Sequence, residues 1–374
     1  MRTGNFVYQL EGIARYKAFM PNSLPYAIKF TPKLQNLLAL ANIAIGRLDG
    51  MADILPNVDF FILMYIRKEA TLSSQIEGTQ ATFVDVLKAE ARVEGTEEYK
   101  DVDEVLNYIS AMNYGIERVS TLPLSSRLIK EIHKELLKGV RGEWKTPGEF
   151  RKSQNWVGGP TIQTATYVPP PSEEVNRLMG NIENYLHNEP LEPTLIKAGL
   201  LHAQFETIHP FLDGNGRIGR LLITFYLCQQ GILQKPLLYL SEFFKSRRRD
   251  YYEKLNFFRQ EDDVEGWLEF YLEGVIETST KAVETARKIR SLRDKNQSLI
   301  IGLGRTAPKA EKVHQRLYKT PILRIKDVEM IAGISNPNSI ELIKKLERIG
   351  ILKEITGKSR YKLYSYGEYV SLFS

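Results

Sequence analysis

Twelve consecutive residues, His209-Pro-Phe-Leu-Asp-Gly-Asn-Gly-Arg-Ile-Gly-Arg220, bring together an imidazole, a carboxylate, three glycines and two guanidinium groups. Gly214 and Gly216 tolerate positive φ and leave the backbone N–H groups around them uncovered. The segment opens a helix running to about residue 230. The first turn of a helix carries unpaired donors and the positive end of the macrodipole. Together these features make a nest suited to a phosphate. Arg217 and Arg220 lie three apart on that first turn, so both can reach one anion, and a planar guanidinium matches phosphate oxygens. Asp213 offers a hard oxygen for Mg²⁺ beside the phosphates. His209 can take a proton from an attacking hydroxyl near neutral pH. Singly, each piece is ordinary: Asp-Gly-Asn-Gly is often a turn, and helical arginines often face water. Their order within one short segment points to phosphate chemistry.

The elements that must hold this loop read as mostly helical. Residues 30–48 and 58–76 carry apolar side chains at helical spacing on either side of Pro56, and the whole first segment to residue 91 reads as helix. Amphipathic helices follow between Tyr99 and Leu137, the last starting at Ser125. Residues 148–171 change character, with Gly, Pro, Thr and aromatic residues that predict two short strands joined by a turn. Helices return over 172–186 and 193–208. The second is broken at His209-Pro210, because a residue before proline disfavours the α region. Helices are expected again over 251–259 and 267–293, the latter long enough to connect two modules.

Residues 305–374 read as a separate piece: helices over 309–318 and 325–332, a turn at Gly333, and a helix beginning at Pro337. A strand at 351–355, a basic turn at 357–360 and a strand at 361–364 follow. That order resembles a winged helix-turn-helix. This piece holds 14 Lys/Arg against 7 Asp/Glu within a chain of net charge +6, so the rest is close to neutral. The excess predicts an acidic partner such as DNA, or else a solvated basic surface on a protein-binding module. The 374 residues predict two or three domains: 1–95 as an N-terminal helical domain, 96–263 as the catalytic core, 264–304 as a helical connector, and 305–374. The lone Cys228 cannot form an internal disulfide, so a reducing setting is expected, with the thiol buried and inert. The apolar uncharged runs 34–46 and 221–234 fall short of the roughly 18–20 residues of a membrane span. With no apolar leader at the start, the expected location is cytoplasmic.

The loop matches the signature of the Fic family at every defining position. Gly148-Glu-Phe-Arg-Lys-Ser-Gln-Asn-Trp-Val-Gly-Gly159 and Tyr167-Val-Pro-Pro-Pro171 resemble that family's flap, and Leu240-Ser-Glu through Arg249-Asp-Tyr-Tyr-Glu-Lys-Leu255 its late helix. The likeness runs from about residue 30 to 272. It implies a mainly α Fic-fold core with a small β-hairpin flap and a protein adenylyltransferase that uses ATP and Mg²⁺. By the same resemblance His209 is the general base toward a Ser, Thr or Tyr hydroxyl, and Asp213 holds Mg²⁺. Gly214, Asn215 and Gly216 form the anion hole, with Asn215 on the α-phosphate. Arg217 and Arg220 take the outer phosphates, and Phe211 fixes the loop. Glycine at 214, where phosphate-transferring relatives carry lysine, implies attack on the α-phosphate. The 155–171 flap would clamp the target by strand addition. Tyr251 and Tyr252 would wall the adenine and ribose side, with Gln204, Lys245 and Ser246 lining the same pocket.

Ser73-Ser-Gln-Ile-Glu77-Gly78 resembles the family's inhibitory pattern in the class with an N-terminal inhibitory helix. Glu77 would then pair with Arg220 and occupy the place of the γ-phosphate, while Ser73 holds the helix end. Alternatives stay open. His202, Glu206 and His209 at i, i+4 and i+7 could ligate a metal in a hydrolase. The core could serve as the sensor of a DNA-binding regulator. Removal of AMP, or transfer of another nucleotide or of phosphocholine, fits the same phosphate loop, and a homodimer is also possible.

Overall fold

The computed structural model describes residues 1–54, 58–91, 101–188, 192–357 and 359–373. Pro56, Tyr99, Lys358 of the basic turn and the 95/96 domain boundary therefore lie outside the described residues. The chain opens with a hairpin, β1 (Gly4–Gln9) and β2 (Tyr16–Pro21), paired antiparallel from Gly4 opposite Pro21 to Gln9 opposite Tyr16. This corrects the helical expectation for the start of the chain. Glycine at the turn and aromatic residues spaced along both arms favour strands over helix there.

Among the described residues eleven α-helices follow: α1 (Pro32–Ile54), α2 (Val58–Ile76), α3 (Phe83–Glu90), α4 (Val102–Val119), α5 (Ser126–Leu136), α6 (Val175–His187), α7 (Thr194–Ile208), α8 (Asn215–Gln229), α9 (Ser241–Ser246), α10 (Arg248–Gln260) and α11 (Val264–Ile301). Helix α7 has no exposed polar face and is buried along nearly its full length, its polar residues included. Helices α6, α8, α10 and α11 pack around it. Trp267 of α11 donates its indole N–H to the Gly199 carbonyl at 2.8 Å, fixing that crossing. The first half of α11 thus belongs to the core that supports the loop, while its second half reaches the C-terminal piece.

The flap is less regular than two strands. Its only described pairing is a bridge between Val157 and Tyr167. Beyond Val157 the positive φ of Gly158 and Gly159, then Pro160, turn the chain away. Beyond Val168 three prolines remove ladder donors. Strand β2 takes up part of the slack: its Phe19 N–H donates to the Val168 carbonyl at 2.9 Å.

The last residues form α12 (Ala307–Leu317), β3 (Ile322–Arg324), α13 (Ile325–Ala332), α14 (Asn336–Arg348), β4 (Lys353–Glu354), β5 (Leu363–Ser365) and α15 (Gly367–Ser371), with sheet order β3-β5-β4. Strand β3 was not foreseen. The other two are shorter than expected: β4 lies within the expected 351–355 run, and β5 runs from within the expected 361–364 segment to one residue past it. Gly333 ends α13 in the left-handed region, and Pro337 sits in the first turn of α14. This piece leans on α2 and α11. The Phe373 ring lies 5.4 Å from that of Tyr65 and 6.4 Å from that of Phe61, Arg67 donates to the Lys319 carbonyl, and Asn296 donates to the Tyr366 hydroxyl at 2.6 Å.

Candidate active site

The 209–220 segment joins the end of α7 to the start of α8. His209 caps α7 in the left-handed region at φ 51°, and Gly214 precedes α8 at φ 76°. Side chains from distant elements set the path between these points. The buried amide of Asn215 accepts from the Phe211 N–H and donates to the Phe211 carbonyl, both at 2.8 Å. The Phe211 ring is fully buried and stacks on His133 with centroids 3.7 Å apart. His133 accepts the Gly148 N–H at Nδ1, so Nε2 carries the proton that it donates to the Asp213 carbonyl at 3.0 Å. Burial pushes the His133 pKa down to about 4, so the ring is neutral and this donor pattern is stable.

Arg151 is the other tie. It is 2% exposed, and its guanidinium donates to four carbonyls: His209 at 2.9 Å, Pro170 at 2.6 Å, and Ile208 and Ser153 at 3.3 Å. One buried cation thereby joins the flap to the backbone of His209. Burial lowers its pKa to about 10, still well above neutrality. Arg259 supports the same corner, its guanidinium 3.9 Å from the Tyr167 ring centroid.

The His209 ring has no side-chain partner among the described residues. Burial, helped by Arg151 and Arg259, lowers its pKa to about 3. The imidazole is therefore neutral and able to accept a proton. Asp213 accepts the Gly214 N–H at Oδ1 (2.7 Å) and a long contact of 3.4 Å from Arg217. Its side chain stays 30% exposed at the loop mouth, leaving Oδ2 open. A single carboxylate with an open oxygen beside a phosphate nest fits Mg²⁺, which takes its remaining ligands from phosphate and water.

Glu77 lies directly over the start of α8. Its carboxylate accepts from Arg220 at 2.7 Å, and a Cβ placed on Gly216 would lie 2.2 Å from Glu77 Oε1. The first intrahelical donor is Ile218, bonded to the Gly214 carbonyl. The carboxylate thus sits where the helix dipole and the unpaired N–H groups favour an anion. Burial would push the Glu77 pKa up, but Arg220, with Arg217 and His209, outweighs it and holds the group below the usual carboxylate range. Ser73 accepts from Arg220 Nε at Oγ (2.8 Å), and its carbonyl accepts a second bond at 3.0 Å. Further along α2, buried Glu69 accepts from Tyr108 (3.0 Å), the Ser241 hydroxyl (2.5 Å) and the Ser241 N–H (3.2 Å), which anchors the helix to α4 and α9.

The structure brings together His209, Asp213, Gly214, Gly216, Arg217, Arg220, Ser73 and Glu77. Tyr252 stands at the same mouth, 36% exposed, within electrostatic reach of Glu77 and Arg220. Others need correction. The Asn215 side chain is tied to Phe211, leaving only its backbone N–H for a phosphate. Arg217 is buried against Glu104, at 3.4 Å, as well as Asp213. Gln204 is fully buried, accepting from Tyr26 at 2.7 Å and donating to the Asn22 carbonyl at 2.9 Å, so it braces the N-terminal segment. Tyr251 is a core ring stacked on Phe244, its hydroxyl donating to His202. Ser246 donates to the Phe243 carbonyl within its own turn, and Lys245 bonds Gln75 of α2. His202 donates to the Gly219 carbonyl through Nδ1 and accepts from Tyr251 at Nε2, so neither ring nitrogen is open to a metal. No metal-like cluster of His, Cys, Asp and Glu occurs among the described residues. His133, Arg151, Glu69, Glu104 and Arg259 were not foreseen.

Two family models match the chain. One describes the Fic/DOC family N-terminal region and covers residues 35–117; the other describes the Fic/DOC family and covers 123–227. A protein of Aquifex aeolicus named "Probable protein adenylyltransferase aq_aa38" is 34% identical over 175 residues, 46% of this chain and 51% of that protein. "Protein adenylyltransferase Fic" of Drosophila grimshawi is 32% identical over 205 residues, 52% and 38% of the respective chains. The chain thus spans about half the length of these relatives or less. Among solved structures, a Fic family protein from Desulfovibrio desulfuricans superposes with TM-score 0.59 at 22% identity, covering 92% of this chain and 98% of that one. A Fic domain containing signaling protein from Bacteroides thetaiotaomicron gives 0.52 at 21%, covering 68% and 97%. These two share the mainly helical fold. The loop, its supports and the two family models, which together span half of the sequence, lead to one conclusion: the chain belongs to the Fic/DOC family.

Proposed function

We propose that this chain transfers AMP from ATP to a Ser, Thr or Tyr hydroxyl of a protein, and that Glu77 holds the activity back. The observation that carries this reading is the Glu77 carboxylate on Arg220, over the Gly216 turn. An acidic side chain fills the place that the dipole and guanidinium prepare for a phosphate. The relatives named adenylyltransferase support the choice of reaction.

In this reading the α8 N-terminus and Arg220 orient the triphosphate once Glu77 has moved aside, with Arg217 acting from behind Asp213. Neutral His209 accepts the hydroxyl proton as the oxygen attacks the α-phosphorus. The bond to the β-phosphate oxygen breaks, and pyrophosphate leaves. Mg²⁺ held by Asp213 would supply charge neutralisation on the phosphates. Tyr252 flanks the nucleotide. The flap, tied to His209 through Arg151, presents the target chain. Mass spectrometry of the Glu77→Gly protein after incubation with ATP tests this reading. A gain of AMP on protein is expected, whereas a gain of phosphate, or no gain, refutes it.

A second role belongs to 305–374. The order α12-β3-α13-α14-β4-β5 and the basic excess support a winged helix that binds DNA, with exposed Lys344 and Arg348 on α14. We divide the chain accordingly into 1–95, 96–263, 264–304 and 305–374. Burial pushes the Cys228 thiol up to about 12, consistent with an inert group in a reducing cytoplasm.

A further inference from the structure

The N-terminal hairpin and the flap enclose a groove of about 690 Å³. On the hairpin side stand Tyr8, Arg15, Tyr16 and Lys17, and on the flap side Gln163 and Thr166. Each cation rests on an aromatic ring: the Arg15 guanidinium lies 3.9 Å from the Tyr8 centroid and Lys17 Nζ 3.9 Å from the Phe6 centroid. Such stacking holds each charged head against a ring face while the residue stays exposed to water. Among the described residues no carboxylate lines the groove and neither cation has an ion pair. The Tyr8 ring is 61% exposed, so the wall is both aromatic and positive, and uncovered.

The groove is coupled to the chemistry. Its flap wall includes Tyr167, whose hydroxyl donates to the Thr207 carbonyl at 2.5 Å, two residues before His209. The same flap strand reaches Pro170, which Arg151 joins to the His209 carbonyl. The groove wall and the His209 backbone are thereby held in one hydrogen-bonded unit. We propose that this groove receives an acidic, extended segment of the target protein, and that Arg15 and Lys17 select it. The proposal rests on the transfer reading and adds to it the kind of protein modified.

The test uses the full chain carrying Glu77→Gly and two probes: fluorescein-labelled polyglutamate for binding, and a random glutamate–tyrosine copolymer as acceptor of label from α-labelled ATP. Arg15→Glu with Lys17→Glu should weaken polyglutamate binding and raise the half-saturating copolymer concentration, each about tenfold, since two exposed charges are reversed. ATP affinity should not change. A milder Arg15→Gln, Lys17→Gln pair should give a smaller shift in the same direction. Lys288→Glu with Arg290→Glu, two exposed cations of α11, should leave copolymer labelling as it was. Unchanged binding and labelling in the Arg15, Lys17 variants overturns the proposal, as does an equal loss in the Lys288, Arg290 control. If no label moves to any protein while polyglutamate binding still depends on Arg15 and Lys17, the groove stands and the transfer reading falls.

Discussion

Replacing Glu77 by glycine removes one carboxylate from the anion place and leaves the other supports of the loop untouched. The bond it breaks is a charge-assisted one of 2.7 Å to Arg220, a kind that contributes about 1.5–3 kcal/mol. A third of the Glu77 side chain is exposed, so solvent screening favours the lower end, about 1.5–2 kcal/mol. At roughly 1.4 kcal/mol per decade, that is about a 10–30-fold gain in the fraction of protein free to take the triphosphate. Arg220 keeps its two bonds to Ser73, so it stays positioned, and with one negative charge removed the site also becomes more attractive to ATP. The assay is the initial rate of label appearing on protein from α-labelled ATP, with γ-labelled ATP alongside. A rise of about 10–30-fold is expected from the α label and none from the γ label. Glu77→Gln, which keeps the shape but not the charge, should fall between. An equal rate in wild type and Glu77→Gly would refute the reasoning, and label from the γ position would refute AMP transfer.

In the Glu77→Gly background, His209→Ala should cut the rate by about 10²–10⁴, the usual worth of a positioned base, with ATP binding by calorimetry little changed. The pH dependence follows from two depressed groups. His209, lowered to about 3, loses its one nearby acid in the variant, so kcat/KM should show no histidine ionisation between about pH 5 and 8; an inflection near the free histidine value would contradict this. Glu77 is held below its ordinary range, so its contribution to stability is complete above the unfolded carboxyl value and is lost only as pH falls through the depressed one. Wild-type activity should therefore not rise on acidification to about pH 5. Arg151→Ala should leave four carbonyls without their donor, lower the melting temperature by several degrees, and reduce kcat more than ATP affinity; an unchanged kcat would remove its positioning role. Phe373→Ala strips the ring that packs on Tyr65 and Phe61 of α2. It should raise labelling in the wild-type background and not in Glu77→Gly, and a rise in both would break the link to Glu77.

The groups proposed for the chemistry were legible because they are neighbours in the chain, and helix periodicity and capping placed α7 and α8 to within a residue or two. What supports them was hidden by sequence distance. His133 sits on the same face as Ile129, Ile132 and Leu136, and a polar residue on an apolar face was a signal available to be read. Arg151 lay inside the quoted flap motif, yet only the fold reveals that its partners are the carbonyls of His209 and Pro170. Gln204 and Tyr251 went the other way. Both were placed in the nucleotide pocket by resemblance, but Gln204 of α7 is buried against Tyr26 and Asn22, and Tyr251 of α10 packs on Phe244 with its hydroxyl on His202. The N-terminal hairpin was missed because a glycine turn between aromatic-rich arms was read under the helical prior of the segment that follows.

If Glu77 silences the site as proposed, it can do so by occupancy or by disorder, and the contacts favour occupancy. The path from His209 to Gly214 is fixed by the Asn215 amide on Phe211, by His133 on the Asp213 carbonyl and by Arg151 on the His209 carbonyl. None of these involves Glu77. The loop is therefore preorganised with the carboxylate in place, and its removal costs the fold one partly exposed ion pair. Relief should then appear as faster transfer on an unaltered scaffold, with a melting temperature lower by no more than a few degrees and no new exposure of the 209–220 backbone to hydrogen exchange. A Glu77→Gly protein whose loop amides exchange much faster than those of wild type would mean that Glu77 orders the loop rather than occupying its anion place.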